Sequence, residues 1–144
     1  MNDGSQDNTI NMVKPHLKNS RIKLINLPHN GKGSAIKQGM LSALGTIRIM
    51  CDADMSMPME HIAEFVSEIN DNKNDVVIGS RQIFGSKRFN ESDFRHLIGR
   101  IYNFWVKLFL ISDFLDTQCG FKAFTEHAAN KIFPLQKLEG FGFD

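Results

Sequence analysis

Hydrophobic residues recur along this chain in two rhythms, and the changes of rhythm divide it into short strands and helices. Arg21-Ile22-Lys23-Leu24-Ile25-Asn26-Leu27 alternates as a half-buried strand does. Beyond the turn Pro28-His29-Asn30-Gly31-Lys32-Gly33-Ser34, residues Ile36, Met40, Leu41 and Leu44 fall at helical spacing. The apolar run Thr46 to Cys51 predicts a second strand, Met59 to about Asn70 a helix, and Asp75 to Arg81 a third strand. Gln82 to Ser92 is polar and reads as a loop. A long helix is expected from about Asp93 to Ile111, with Phe94, Leu97, Ile98, Ile101, Trp105, Leu108 and Phe109 along one face. Ile10 to Leu17 predicts a short helix, and Thr125 is placed to cap another, Glu126 to Phe133. In Asp116-Thr117-Gln118-Cys119-Gly120-Phe121-Lys122-Ala123-Phe124, polar residues and a glycine lie among aromatics, which suggests a site wall rather than a plain strand. Helix and strand alternate through the first half, so the expected class is α/β, with βαβ units around a mostly parallel sheet.

Composition narrows the function classes. A chain of 144 residues, 42% hydrophobic and 23% charged, suits one globular domain with its own core. A net charge of +1 provides no field for duplex nucleic acid, so no nucleic-acid partner is expected. The two cysteines, Cys51 and Cys119, form neither a disulfide framework nor a zinc pattern, and the five histidines lack ligand spacing. A reduced, cytoplasmic setting is the default expectation. No apolar run reaches the ~18 residues of a membrane helix.

Chemistry concentrates at the end of the second predicted strand. Asp52 and Asp54 stand two residues apart, and side chains at that spacing on an extended chain point to the same side. In open α/β sheets the carboxyl ends of strands are where ligands bind. Two such carboxylates repel unless compensated, and a hard cation such as Mg²⁺ or Mn²⁺ bridging to phosphate oxygens would compensate them. A surface loop with two solvated acids is the plainer alternative. Gly31-Lys32-Gly33 opens a helix, where free N–H groups can meet an anion. It lacks the Gly-x-x-x-x-Gly-Lys-Ser/Thr spacing of a nucleotide-hydrolase phosphate loop, and a glycine turn with an exposed lysine is the alternative. Asp3 lies in Asn2-Asp3-Gly4-Ser5, where a plain helix cap competes with a binding role. Arg81 ends the third strand on the rim expected for Asp52 and Asp54. Arg81, Lys87, Arg88, Arg95 and Arg100 outnumber Glu91 and Asp93, an excess suited to an anionic ligand beside an apolar surface. The 93–111 helix itself reads either as a core helix or as one lying on a membrane surface.

Asn2-Asp3-Gly4-Ser5, Asn30-Gly31-Lys32-Gly33, Asp52-Ala53-Asp54, Gly79-Ser80-Arg81, Asp116-Thr117-Gln118-Cys119-Gly120-Phe121-Lys122 and Gly142-Phe143-Asp144 occur in the order seen in family 2 glycosyltransferases. The chain most resembles that family's polyprenyl-phosphate group, over nearly its whole length. The resemblance implies a GT-A (Rossmann-like) fold, with a mixed, mostly parallel sheet and flanking helices. It also implies metal-dependent, inverting transfer from a nucleotide-diphosphate sugar to a polyprenyl or dolichyl phosphate. By that likeness Asp3, Lys32 and Asp52 bind the nucleotide sugar, and Asp54 with Asp52 holds Mg²⁺ or Mn²⁺. Arg81 and Arg95 receive the acceptor phosphate. Asp116 orients the acceptor or takes a remaining proton, unless it is a structural acid holding the following turn. Mannosyl relatives often carry glutamine where Ser56 stands, which favours UDP-glucose over GDP-mannose. The enzyme is expected at the cytosolic face of a membrane. The family's first strand and its Pro-x-Tyr-Asn-Glu type loop have no counterpart here, so residues 1–144 are expected to be one partial domain, truncated at both ends and weak or inactive alone. Two other readings stand beside it. One is a non-catalytic fragment, or a chain completed by a partner. The other is a phosphatase of the haloacid dehalogenase type, whose Asp-x-Asp strand the segment Asp52 to Ser56 approaches, but without a counterpart for that family's later lysine and acidic pair.

Overall fold

The computed structural model describes residues 1–54, 57–80 and 119–143. The expected loop 82–92 and helix 93–111, together with Arg81, Arg95 and Asp116, lie outside the described residues. The elements in chain order are β1 (Asn2–Asp3), α1 (Thr9–Val13), a 3₁₀ turn (Lys14–Lys18), β2 (Asn26–Leu27), α2 (Lys32–Ser42), β3 (Ile47–Met50), α3 (His61–Asn70), β4 (Val76–Ile78), β5 (Lys122–Thr125), α4 (Glu126–Ile132) and a second 3₁₀ turn (Phe133–Leu135).

The element types follow the sequence pattern, with differences that have local causes. The expected 10–17 helix tightens to 3₁₀ at Lys14 because Pro15 has no N–H to give the α ladder. Of the expected strand 21–27, the ladder keeps only Asn26–Leu27, which pairs in parallel with Asn2–Asp3. Thr125 caps α4 as expected, its hydroxyl oxygen accepting the Ala128 N–H at 3.1 Å.

The larger difference is in the sheet. Alternating strands and helices predict β3 and β4 in a mostly parallel sheet, and these two strands do run in the same direction. Between them, however, lies β5, antiparallel to both, in the order β3-β5-β4. Among the described residues, parallel pairing is confined to β1 and β2. The segment read from sequence as a site wall therefore supplies the central strand, and of its described residues Cys119 to Phe121 lie towards the rim. Burial on both faces accompanies this place in the sheet: Lys122, Ala123 and Phe124 are all buried.

Side-chain alternation along β5 divides the core into two layers. Phe121 and Ala123 face α3, where they pack with Phe65, Ile69 and Cys119. The rings of Phe65 and Phe121 meet edge to face at 4.8 Å. Phe124 faces the other way and packs with Met40 of α2, Met50 of β3, Ala128 and Ala129 of α4, and Phe133. On that side Arg48 is buried yet fully engaged. Its guanidinium donates to Met40 O and Asn130 Oδ1, each at 2.8 Å, to Gly45 O at 3.3 Å and to Glu126 Oε1 at 3.2 Å. These bonds tie the end of α2 and the start of α4 to β3.

Phe121 is 1% exposed at the junction of α3 and the central strand. Phe121→Ala is expected to cost about 3–5 kcal/mol, from lost transfer energy and the cavity left behind. Urea denaturation of the variant beside the parent measures it.

Candidate functional site

Met50 of β3 and Ile78 of β4 both stand opposite Lys122, so the two strands end level, at the end of the sheet where β5 begins. Asp52 lies two residues beyond Met50 at this rim, and its carboxylate rests against the backbone of Gly120. From the other side Lys32, the first residue of α2, brings its Nζ to 2.7 Å from Asp52 Oδ1. A cleft of about 660 Å³ between α2 and β3 is lined by Lys32, Cys51, Asp52, Ala53, Asp54 and Phe141, among others. The structure thus brings together Lys32, Asp52 and Asp54. The Lys32–Asp52 pair is partly exposed and contributes about 0–1 kcal/mol to stability; its importance is positional.

Asp3 does not line this cleft. It holds the loop before α2: Oδ1 accepts the Asn30 N–H and Oδ2 the Gly31 N–H, both at 2.9 Å, while His29 Nδ1 stands 2.9 Å from Oδ2. The Asn30 amide holds the Asp3 carboxyl below its ordinary range, aided by the Gly31 amide and His29 and opposed by partial desolvation. Asp3 therefore caps the approach to α2, rather than the α1 helix that follows it in sequence.

The start of α2 also differs from the sequence expectation. The amides of Gly33 and Ser34 do not stand open to an anion. Gly33 N–H donates to Gly140 O at 3.2 Å and Ser34 N–H to Glu139 O at 3.0 Å, so a terminal segment of the chain straps the helix end. A β-carbon on Gly31 would meet Glu139 O, and one on Gly33 would meet Leu138 O and Phe143. Gly31 also has φ +107°, a conformation that side chains disfavour. These glycines allow two backbones to approach, which accounts for the Gly-Lys-Gly pattern without a phosphate. Nor is Lys32 the exposed lysine of the alternative reading, because it is paired with Asp52 and lies 5.9 Å from the ring centroid of Phe141.

Two residues that shape the cleft were not assigned from sequence. Gly120 belongs to the stretch read as a site wall, but nothing in the pattern links it to Asp52, sixty-eight positions away in the chain. Phe141 is 82% exposed, and only the strap brings it to the cleft. Arg81, Arg95 and Asp116 lie outside the described residues. Among the described residues, no helix is long and apolar enough to cross a membrane.

Sheet, flanking helices and a rim that gathers acids and a lysine define a class when set beside known proteins. Residues 1–133 match the glycosyl transferase family 2 model, and the chain belongs to that family, whose fold is the GT-A, Rossmann-like one. Family membership sets aside the phosphatase alternative. Among its curated relatives, a dolichyl-phosphate beta-glucosyltransferase of Trichomonas vaginalis is 35% identical over the whole of this chain and 45% of its own length. Dolichyl-phosphate beta-glucosyltransferases of Homo sapiens and Saccharomyces cerevisiae are 30% and 32% identical, again over the whole chain, which covers 48% and 49% of theirs. The chain spans about half the length of the curated relatives it matches.

Asp3 yields a pH test. A carboxyl whose pKa is lower folded than unfolded contributes stability above the unfolded value, about 3.9, and loses it as pH falls from there through the folded value. Asp3→Asn is expected to lower the melting temperature at pH 7, and the gap from the parent to narrow on acidification below about pH 4. Melting curves at pH 7, 5 and 3 check both statements.

Proposed function

We propose that this chain carries the donor-binding part of a glycosyltransferase that moves a hexose from a nucleotide-diphosphate sugar to a polyprenyl or dolichyl phosphate. The observation that carries the reading is the gathering of Lys32, Asp52 and Asp54 in one cleft at the strand ends of a family 2 chain. The names of its relatives support glucose as the sugar and dolichyl phosphate as the acceptor. UDP-glucose is the favoured donor and GDP-mannose the second.

The residues present fit a hard divalent cation of the Mg²⁺ or Mn²⁺ kind. Such ions take one or two carboxylates and complete their shell with phosphate oxygens and water, so a third protein ligand is not required. Among the described residues no group of three or more His, Cys, Asp or Glu side chains is gathered. Asp54, with Asp52, would hold the ion, and the ion would neutralise charge growing on the departing diphosphate. Lys32 adds a fixed positive charge at the same place, and its pairing with Asp52 aims it along the rim.

In the proposed reaction an acceptor phosphate oxygen attacks the anomeric carbon from the face opposite the leaving diphosphate. A carbon–oxygen bond forms as the one to the diphosphate breaks, and the configuration inverts. A phosphate monoester loses its second proton near pH 6, so the acceptor is largely ionised at neutral pH and needs no strong base. In this reading Arg81 and Arg95 bind the acceptor phosphate, and Asp116 orients the acceptor or takes a remaining proton. Asp3 acts on the nucleotide through the Asn30–Gly31 loop it holds. The 93–111 segment provides contact with a membrane surface, at the cytosolic face where nucleotide sugars are available.

Thermal melting with UDP and with GDP, each with and without Mn²⁺, tests the donor site. UDP with Mn²⁺ is expected to stabilise the chain by roughly 2.7 kcal/mol at a hundredfold excess over its dissociation constant. Asp54→Ala should abolish the rise. A rise with GDP alone would move the donor to the guanosine series, and no rise with either nucleotide would refute a donor site in this chain.

A further inference from the structure

Gly120 is the residue against which Asp52 rests. The three atoms nearest to where its β-carbon would sit all belong to the Asp52 carboxyl group, and they lie too close for any side chain there. Backbone conformation does not explain the glycine. Among the described residues the glycines with positive φ are Gly4 and Gly31, so the backbone at 120 is one an ordinary residue can adopt. Space is the constraint, and the two sides of the contact are unequally fixed. Cys119 and Phe121 on either side of Gly120 are buried in the α3 layer. Phe121 O accepts the Gly79 N–H at 3.0 Å, and Lys122 is in register with both Met50 and Ile78. Gly79 is itself closed in, with Met57 Cε and Cys119 Sγ in the space a β-carbon would take. Asp52 is the movable partner, because the atoms nearest the missing β-carbon of Gly120 are those at the end of its side chain.

We infer that Gly120 is a positioning residue, whose missing side chain forms the notch that seats the Asp52 carboxylate against Lys32. The notch does two things. It turns Asp52 towards the cleft, so that Lys32 and Asp52 meet at 2.7 Å and both face the place where a diphosphate would lie. It also selects aspartate over glutamate, because a carboxylate carried one methylene further does not fit between Gly120 and Lys32. A side chain at position 120 expels the carboxylate while leaving the core untouched, so the effect falls on the site and not on the fold. The geometry stands alone; its consequence for donor binding rests on the proposed function.

The test reads Lys32 directly. An amine-acylating reagent labels the folded chain, and mass spectrometry follows Lys32 relative to Lys37. Asp52→Asn defines the rate of a Lys32 released from its carboxylate. Gly120→Ala is expected to reach that rate, to add nothing further when combined with Asp52→Asn, and to melt close to the parent. Ala123→Gly, which weakens the central strand away from Asp52, should leave Lys32 at the parental rate. Should Gly120→Ala fail to fold, Asp52→Glu with Gly120 intact is expected to release Lys32 to the same extent. A parental Lys32 rate in folded Gly120→Ala, or in Asp52→Glu, overturns the inference. Melting with UDP and Mn²⁺ separates the two levels: where the parent responds, Gly120→Ala loses the response. If the parent does not respond while the labelling pattern holds, the donor reading fails and the positioning role of Gly120 stands.

Discussion

The two-sided hydrogen bonding of β5 is the interaction on which the rest of this structure depends. Lys122 to Thr125 pairs with β3 on one side and β4 on the other, and its two faces seed both layers of the core. Because Met50 and Ile78 share Lys122 as their opposite number, the ends of β3 and β4 are level. The rim that carries Asp52 is set by that register. A slip of one residue would exchange Phe121 and Ala123 with Lys122 and Phe124 across the sheet and destroy both packing layers. Site geometry and core packing are therefore enforced by the same ladder.

Around that ladder, the cleft is built by close backbone approach rather than by many polar contacts. Gly120 leaves room for a carboxylate, while Gly31 and Gly33 leave room for carbonyls of the strap that crosses the start of α2. The strap satisfies amides that a bare helix end would expose, and it carries Phe141 to the cleft wall. Asp3 serves the same helix end from the opposite end of the chain, through the Asn30 and Gly31 amides. Lys32 is thus fixed from three directions: by Asp3 through the preceding loop, by the strap, and by Asp52.

Much was legible in the sequence because it is local. Apolar periodicity located β3, α3 and β4, and α2 in part, since Leu44 lies beyond its end and is exposed. Thr125 announced its helix through capping chemistry. Asp52 and Asp54 follow β3 as expected, although Ala53 and Asp54 form a turn rather than an extended continuation of the strand. The order of short motifs pointed to the family, since motif order survives where overall identity is modest. Element lengths depart from the pattern where tertiary contacts decide: the ladder takes only Asn26 and Leu27 from a seven-residue alternating run, because a strand extends only as far as it has a partner.

Three matters were decided only by the tertiary structure, each because it joins residues far apart in the chain. Strand order is one: alternation along a chain does not say which strand a later segment inserts between, and β5 entered the middle of the sheet antiparallel to both neighbours. The use of the α2 amides is another, since a helix start reads the same whether a ligand or a distant carbonyl accepts from it; here Gly140 and Glu139 do. The seat of Asp52 is the third. Its residue type and strand-end position were local facts, but its direction is set by the absence of a β-carbon at Gly120, a steric relation that no local pattern encodes.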